Sequence, residues 1–138
     1  MTPIRFIIID DDEINNKICT MAIDKMATGS YVQTFRDPFE GFNRIVSEYS
    51  NPNEDFTAVL FLDISMPGMD AWEFLDRFDK LDASIKNRME IYVLSSSDDK
   101  RDMNRALENK NVVDYLVKPV IRETIRLVVH AHNKRHIH

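Results

Sequence analysis

Short apolar runs alternate with longer stretches of helical spacing along this chain. Ile4–Ile9 (IRFIII), Ala58–Leu62 (AVLFL), Ile91–Leu94 (IYVL) and Val112–Val117 (VVDYLV) are runs of this kind, and Tyr31–Phe35 (YVQTF) is a weaker fifth. Near-continuous apolar strands, rather than alternating ones, suit a parallel sheet covered on both faces. Between the runs, Ile14, Ile18, Ala22 and Met26 recur every four residues. Phe39, Phe42 and Ile45–Val46 suit a second helix, Ala71, Phe74, Leu75 and Phe78 a third, and Ile121, Ile125, Val128 and Val129 a last one. These spacings put the apolar side chains on one helical face. Asp98–Asn109 also reads as helix, with only Met103, Ala106 and Leu107 available to a core. Strand and helix thus alternate five times, which predicts an α/β domain built on a parallel sheet.

Composition narrows the function classes. A length of 138 residues fits one domain, and neither a linker nor a repeat interrupts it. The net charge of −5 gives no basic footprint for nucleic acid and no attraction to anionic lipid. The longest apolar runs fall far short of the roughly 18 residues that span a membrane, and the first residues lack the apolar core of a secretory signal. The single cysteine, Cys19, excludes an internal disulfide and a cysteine-based zinc site, which points to a reducing, cytoplasmic setting. Cys19 reads as a small buried hydrophobe, and the seven methionines as core filler. With three glycines, there is no Gly-rich phosphate loop of the nucleotide-binding kind.

In open α/β sheets, ligands bind outside the carboxyl ends of the strands. The first strand ends in Asp10-Asp11-Asp12-Glu13, the third in Asp63, the fourth in Ser95-Ser96-Ser97 and the fifth in Lys118-Pro119. On one sheet edge these make an acidic cluster flanked by a hydroxyl and an ammonium. Converging carboxylates repel one another, and an all-oxygen donor set suits Mg²⁺, or Mn²⁺ by the same chemistry. Such a carboxylate can act as a nucleophile towards a phosphoryl group. Acids at a strand-to-helix junction also cap helices, and Asp12 and Glu13 are read that way. Asp63, closing an apolar strand, is costly without a role. Ser95 alone would be a turn residue and Lys118 alone a surface lysine. The ordered set is what has specificity.

The strings Phe6-Ile7-Ile8-Ile9-Asp10-Asp11-Asp12, Leu62-Asp63-Ile64-Ser65-Met66-Pro67-Gly68-Met69-Asp70, Val93-Leu94-Ser95-Ser96-Ser97 and Asp114-Tyr115-Leu116-Val117-Lys118-Pro119 together resemble a response-regulator receiver domain of two-component signalling. The resemblance runs from Ile4 to about Ala131. It implies a flavodoxin-like, doubly wound five-stranded parallel sheet of order 2-1-3-4-5 with helices on both faces. It also implies a role for each matching position. Asp63 is the phosphoacceptor. Asp11 ligates Mg²⁺ directly, Asp10 acts through a metal-bound water, and Ser65 offers its backbone carbonyl. Ser95 meets the phosphoryl group, Lys118 pairs with one of its oxygens, and Pro119 follows a cis bond. Tyr115 is the switch aromatic that turns inward as Ser95 moves.

The function so implied is a phosphorylation-dependent switch. It takes its phosphoryl group from a histidine kinase or a histidine phosphotransfer protein and signals to a downstream protein through the fourth helix, fifth strand and fifth helix. It is not an enzyme beyond assisting its own phosphorylation and autodephosphorylation. It is expected to be a monomer or a phosphorylation-dependent dimer, without an attached output domain. The sequence departs from the family at Ala71 and Ser96, and at Glu108–Val112, where a polar turn with Asn in a left-handed conformation is expected instead of Ala-Gly. A degenerate receiver that docks without phosphorylation is one alternative. A haloacid-dehalogenase-like phosphatase, imitated by Asp10-x-Asp12, Ser95 and Lys118, is another, though it lacks an acidic pair after the lysine and leaves Asp63 without a role. His132 and His136 have the i, i+4 spacing of a metal pair, but residues 132–138 are read as a frayed tail. Trp72, one position off its helix's apolar stripe, is expected to be partly buried.

Overall fold

The computed structural model describes residues 4–51, 53–54 and 56–136. Within these, the order is β1 (Ile4–Ile9), α1 (Glu13–Met26), β2 (Tyr31–Phe35), α2 (Pro38–Glu48), β3 (Thr57–Asp63), α3 (Ala71–Asp79), α4 (Ala83–Lys86), β4 (Met89–Ser95), α5 (Lys100–Glu108), β5 (Val112–Val117) and α6 (Arg122–Arg135). All strand pairs are parallel, in the order β2-β1-β3-β4-β5. The sheet order expected from the resemblance is the order found. Its direction reverses between β1 and β3, where a ligand crevice is expected.

Side chains that alternate along the central strands feed two cores. Ile7, Ile9, Leu60, Leu62, Ile91 and Val93 pack with Ile45 of α2, Phe74 and Phe78 of α3, and Ala106 of α5. Phe6, Ile8, Val59, Phe61, Tyr92 and Leu94 pack with Cys19, Ala22 and Ile23 of α1 and with Ile125 and Val128 of α6. Helices therefore cover both faces, and continuous apolar strands satisfy both layers at once. Burying one such large side chain contributes about 1.5–3 kcal/mol. Cys19 is fully buried, and burial, assisted by the Asp10 charge, pushes its thiol up to about 12.

Aspartates start most of the helices. Asp12, Asp37, Asp70, Asp82 and Asp99 each accept a hydrogen bond from a backbone N–H in the first turn of α1, α2, α3, α4 and α5. Each satisfies a donor the helix leaves unpaired and complements its dipole. Asp12 thus caps α1, as expected. In α2, Gly41 lies against β1: a Cβ there would meet Ile9 Cδ1 at 2.7 Å and Cγ1 at 2.9 Å. Ile9 is fully buried and cannot yield freely. Gly41→Ala should therefore cost about 1–3 kcal/mol in chemical denaturation, despite alanine's better helix propensity.

Several expectations are corrected. The stripe Ile14–Ile18–Ala22–Met26 is not the inward face of α1. Ile14 is 70% exposed, Ile18 39% and Met26 36%, while Asn15, Asn16, Cys19, Ala22 and Ile23 are buried. Two buried asparagines rotate the helix away from its apolar stripe, for a reason found in the site. Ile121 precedes α6 and is exposed, leaving Ile125 and Val128 inside. The short helix α4, capped by Asp82, was not anticipated. The turn before β5 needs no left-handed asparagine: among the described residues no non-glycine has positive φ, and Asn109 sits at φ −80°, ψ 124°. The tail is ordered further than expected. Helix α6 runs to Arg135, and His132 is only 2% exposed. Its aliphatic neighbours give no hint of this, because His132 is held by polar contacts with β3 and β4. Ile137 and His138 lie outside the described residues. Trp72 is half-buried as expected, with the Arg105 guanidinium 4.4 Å from its ring centre.

Candidate functional site

Parallel strands that end level with one another deliver their last residues to one place. β1 runs into Asp10, and its neighbour β3 ends in Asp63, with Ile9 in register with Leu62. β4 ends in Ser95, beside Asp63's register partner Leu94. β5 runs into Lys118, and the Lys118 N–H donates to the Ser95 carbonyl at 2.7 Å. The Lys118–Pro119 peptide is cis, as the resemblance implies.

Asp10 is fully buried and its acceptor capacity is well used. Oδ1 accepts from the Asp12 N–H at 2.9 Å, and Oδ2 accepts from Asn15 Nδ2 at 2.8 Å. The Asn16 side-chain amide donates to the Asp10 carbonyl at 2.9 Å. These two bonds explain the rotation of α1. A buried carboxylate needs donors, and the first turn of the helix supplies them. The functional residue missed by sequence reasoning is Asn15. Its signal was an unexpected pair of amides one turn after an Asp-Asp-Asp run.

Lys118 closes the site. Its Nζ lies 2.8 Å from Asp10 Oδ2 and 3.0 Å from Asp63 Oδ1, with little exposure. Burial pushes the Asp63 carboxyl up to about 7, reinforced by the Asp10 charge and opposed by Lys118. Burial alone would lower the Lys118 ammonium, but hydrogen bonds to Asp10 and Asp63 hold it above its ordinary value. Carboxylate oxygens of Asp10, Asp11 and Asp63 lie within 4.8 Å of one another. One ammonium, held between Asp10 and Asp63, against three carboxylates leaves an excess of negative charge. An all-oxygen donor set with that excess fits a hard divalent cation. Asp11 is the more exposed member, beside a groove lined by Arg36, Asp37, Pro67 and Gly68.

The remaining sequence-derived positions fall around this cluster. Ser95 is buried, and its Oγ accepts from the Ser97 N–H at 3.1 Å. Ser65 lies in the exposed loop that leaves β3. A register shift between Ile91 and Tyr92 sets Tyr115 opposite Val93 and turns it into the core layer of α5. Tyr115 is buried, and its hydroxyl donates to the Ser97 carbonyl at 2.6 Å. The loop after Ser95 is thereby joined to β5. Ala71 begins α3 with its N–H bonded to the Ile64 carbonyl at 2.9 Å, and its φ is not positive, so alanine meets no conformational obstacle there.

Comparison with known proteins agrees with this geometry. The profile of the family described as response regulator receiver domain matches residues 6–130. A two-component response regulator from Cytophaga hutchinsonii superposes with a TM-score of 0.85 at 25% identity, over 97% of this chain and 99% of that one. A response regulator receiver protein from Dyadobacter fermentans gives 0.82 at 22% identity, over 93% and 96%. A structure described as a CheX-CheY-BeF3-Mg complex from Borrelia burgdorferi gives 0.74 at 21% identity, over 96% and 90%. No curated protein matches the sequence. No helix among the described residues is long and apolar enough to cross a membrane. A family match over residues 6–130, on a sheet of this order with acids at its carboxyl edge, means that the chain belongs to the response regulator receiver family, whose members are phosphorylation-dependent signalling modules rather than enzymes in the ordinary sense.

Proposed function

We propose that this chain is a phosphorylation switch with Asp63 as its acceptor. The observation behind this reading is the Lys118 ammonium held between Asp10 and Asp63 with Asp11 alongside. An Asp63 oxygen attacks the phosphorus of a phosphohistidine on a histidine kinase or a phosphotransfer protein. The P–O bond forms as the P–N bond breaks, and the imidazole leaves, taking a proton from solvent. Asp11 and Asp63 would hold Mg²⁺ directly, with the Ser65 carbonyl, and Asp10 through water. The bound cation would supply charge neutralisation for the phosphoryl oxygens. Lys118 then exchanges its contact with Asp63 for a phosphoryl oxygen, and Ser95 gives up its Ser97 contact to donate a hydrogen bond. Tyr115, already tied to the Ser97 carbonyl, passes that movement to α5, β5 and α6, which face the downstream protein. The phosphoryl group adds about −1.5 to −2 charge at the place where Lys118 waits. The likeness to a chemotaxis protein complexed with beryllofluoride and Mg²⁺ supports the same reading. A cytoplasmic location follows from the phosphodonor.

Intact mass after incubation with acetyl phosphate tests it. One added phosphoryl group is expected with Mg²⁺, and none with EDTA or in Asp63→Asn. If wild type gains no phosphoryl group and binds no beryllofluoride with Mg²⁺, the switch reading is wrong and docking without phosphorylation takes its place.

A further inference from the structure

At the other end of the sheet lies a second cluster that the switch does not use. Thr57 opens β3 and Glu90 is the second residue of β4, whereas Asp63 and Ser95 close those strands. Six strand steps of about 3.3 Å separate Thr57 from Asp63, or about 20 Å. Here His132, in the last turn of α6, and His136, the residue that caps its end, bring their ring centres 4.3 Å apart. His132 Nδ1 meets Glu90 Oε1, and His136 Nε2 lies 3.6 Å from the same oxygen. The three ligand atoms fall within 4.8 Å of one another.

We propose that Glu90, His132 and His136 form a binding site for a transition-metal ion of the Zn²⁺ class, distinct from the Mg²⁺ site. Two imidazoles and a carboxylate are a borderline-soft set, which favours Zn²⁺ over Mg²⁺. The 3.6 Å span from His136 to Glu90 is close to the edge of a tetrahedron with bonds of about 2.1 Å, roughly 3.4 Å. The hydrogen bond between His132 and Glu90 opens to the same span as an ion enters. Solvent beside the exposed His136 supplies the fourth ligand. The outer contacts are already in place. His132 Nε2 is 3.0 Å from Thr57 Oγ1, so when an ion displaces the Nδ1 proton that Glu90 accepts, an Nε2–H donated to that hydroxyl leaves the Nδ1 lone pair for the metal. Arg135 holds Glu90 Oε2 and reaches the Tyr92 hydroxyl, which fixes the carboxylate and leaves Oε1 for the ion. Its positive charge opposes the metal's, so micromolar affinity is expected. A bound ion would pin the end of α6 to β4.

Calorimetric titration of the full chain with Zn²⁺, in excess Mg²⁺ so that the acidic cluster is already supplied, tests the proposal. One Zn²⁺ per chain is expected. Glu90→Gln and His136→Ala should each weaken it at least about tenfold, while Asp63→Asn leaves it unchanged. His136 is exposed, so its variant keeps the fold, and far-UV circular dichroism checks Glu90→Gln. Co²⁺ should show the intense visible absorption of a tetrahedral site. The proposal is overturned if wild type takes up no Zn²⁺ in Mg²⁺, if either variant keeps full affinity, or if Asp63→Asn loses the ion. Phosphorylation of Asp63 is read separately by mass, so failure here leaves the switch reading standing.

Discussion

Lys118→Met should destabilise the protein by about 3 kcal/mol at pH 7.5 in EDTA, measured by urea denaturation. Methionine keeps the unbranched stem and removes only the charge. What remains is Asp10, fully buried, facing Asp63 with no ammonium between them. Removing one partner of a buried ion pair typically costs about 3–5 kcal/mol, because the other charge is left stranded. The low end applies because Asn15 and the Asp12 N–H still hold Asp10. Acid should shrink the loss, since protonated carboxyls need no counter-charge. Mg²⁺ should restore part of it at neutral pH. An unchanged midpoint in EDTA would show that the ammonium does not neutralise these carboxylates.

Asp63→Asn should act in the opposite sense and raise the melting temperature by about 7 °C at pH 7.5 without divalent cations. Burial first, and Asp10 second, raise Asp63 from 3.8 to about 7. Between those values the folded protein holds a proton that the unfolded chain has released. Stability from this group is therefore fully present below about pH 4 and is lost as pH rises through about 7. The whole interval corresponds to about 4 kcal/mol. Asp63 and Asp10 share Lys118, so about half of that is expected in practice, and about 2 kcal/mol corresponds to about 7 °C for a domain of this size. Asparagine cannot ionise, so the gain should vanish near pH 4. Mg²⁺ should also erase it, by stabilising wild type alone. A melting profile of Asp63→Asn parallel to wild type from pH 4 to 8 would contradict this account. The two changes should not add: Lys118→Met should cost less once Asp63 is asparagine, because one of the stranded charges is gone.

The central strands β1, β3 and β4 were legible because one rule governs them, whereas the edge strands β2 and β5 are partly exposed. Residues such as Leu60 and Phe61 are buried on opposite faces, so the whole run is apolar and cannot be mistaken for an exposed edge. The site was legible for a related reason. Parallel strands present their last residues together, so Asp10, Asp63, Ser95 and Lys118 could be assembled from strand ends alone. Helix α1 was misread because periodicity counts only apolar atoms. Its buried face is set partly by Asn15 and Asn16, which serve Asp10, and no hydrophobic pattern records that demand. The end of α6 was misread in the same way. His132 is buried by Glu90 and Thr57, residues 42 and 75 positions away, and local spacing cannot register partners at that distance. The register shift that turns Tyr115 inward is likewise a property of the strand pair, not of β5 alone.

Cys19 has a practical consequence. A thiol with no solvent contact and a pKa near 12 has almost no thiolate at neutral pH, and thiolate is the form that alkylating reagents attack. The folded protein is thus already silent towards maleimides. A cysteine placed at an exposed position of α5 or α6 would be a unique handle for a fluorophore or spin label, with no need to remove the native one. The movement proposed for the α5–β5–α6 face could then be tested by distance measurements in an otherwise unaltered chain.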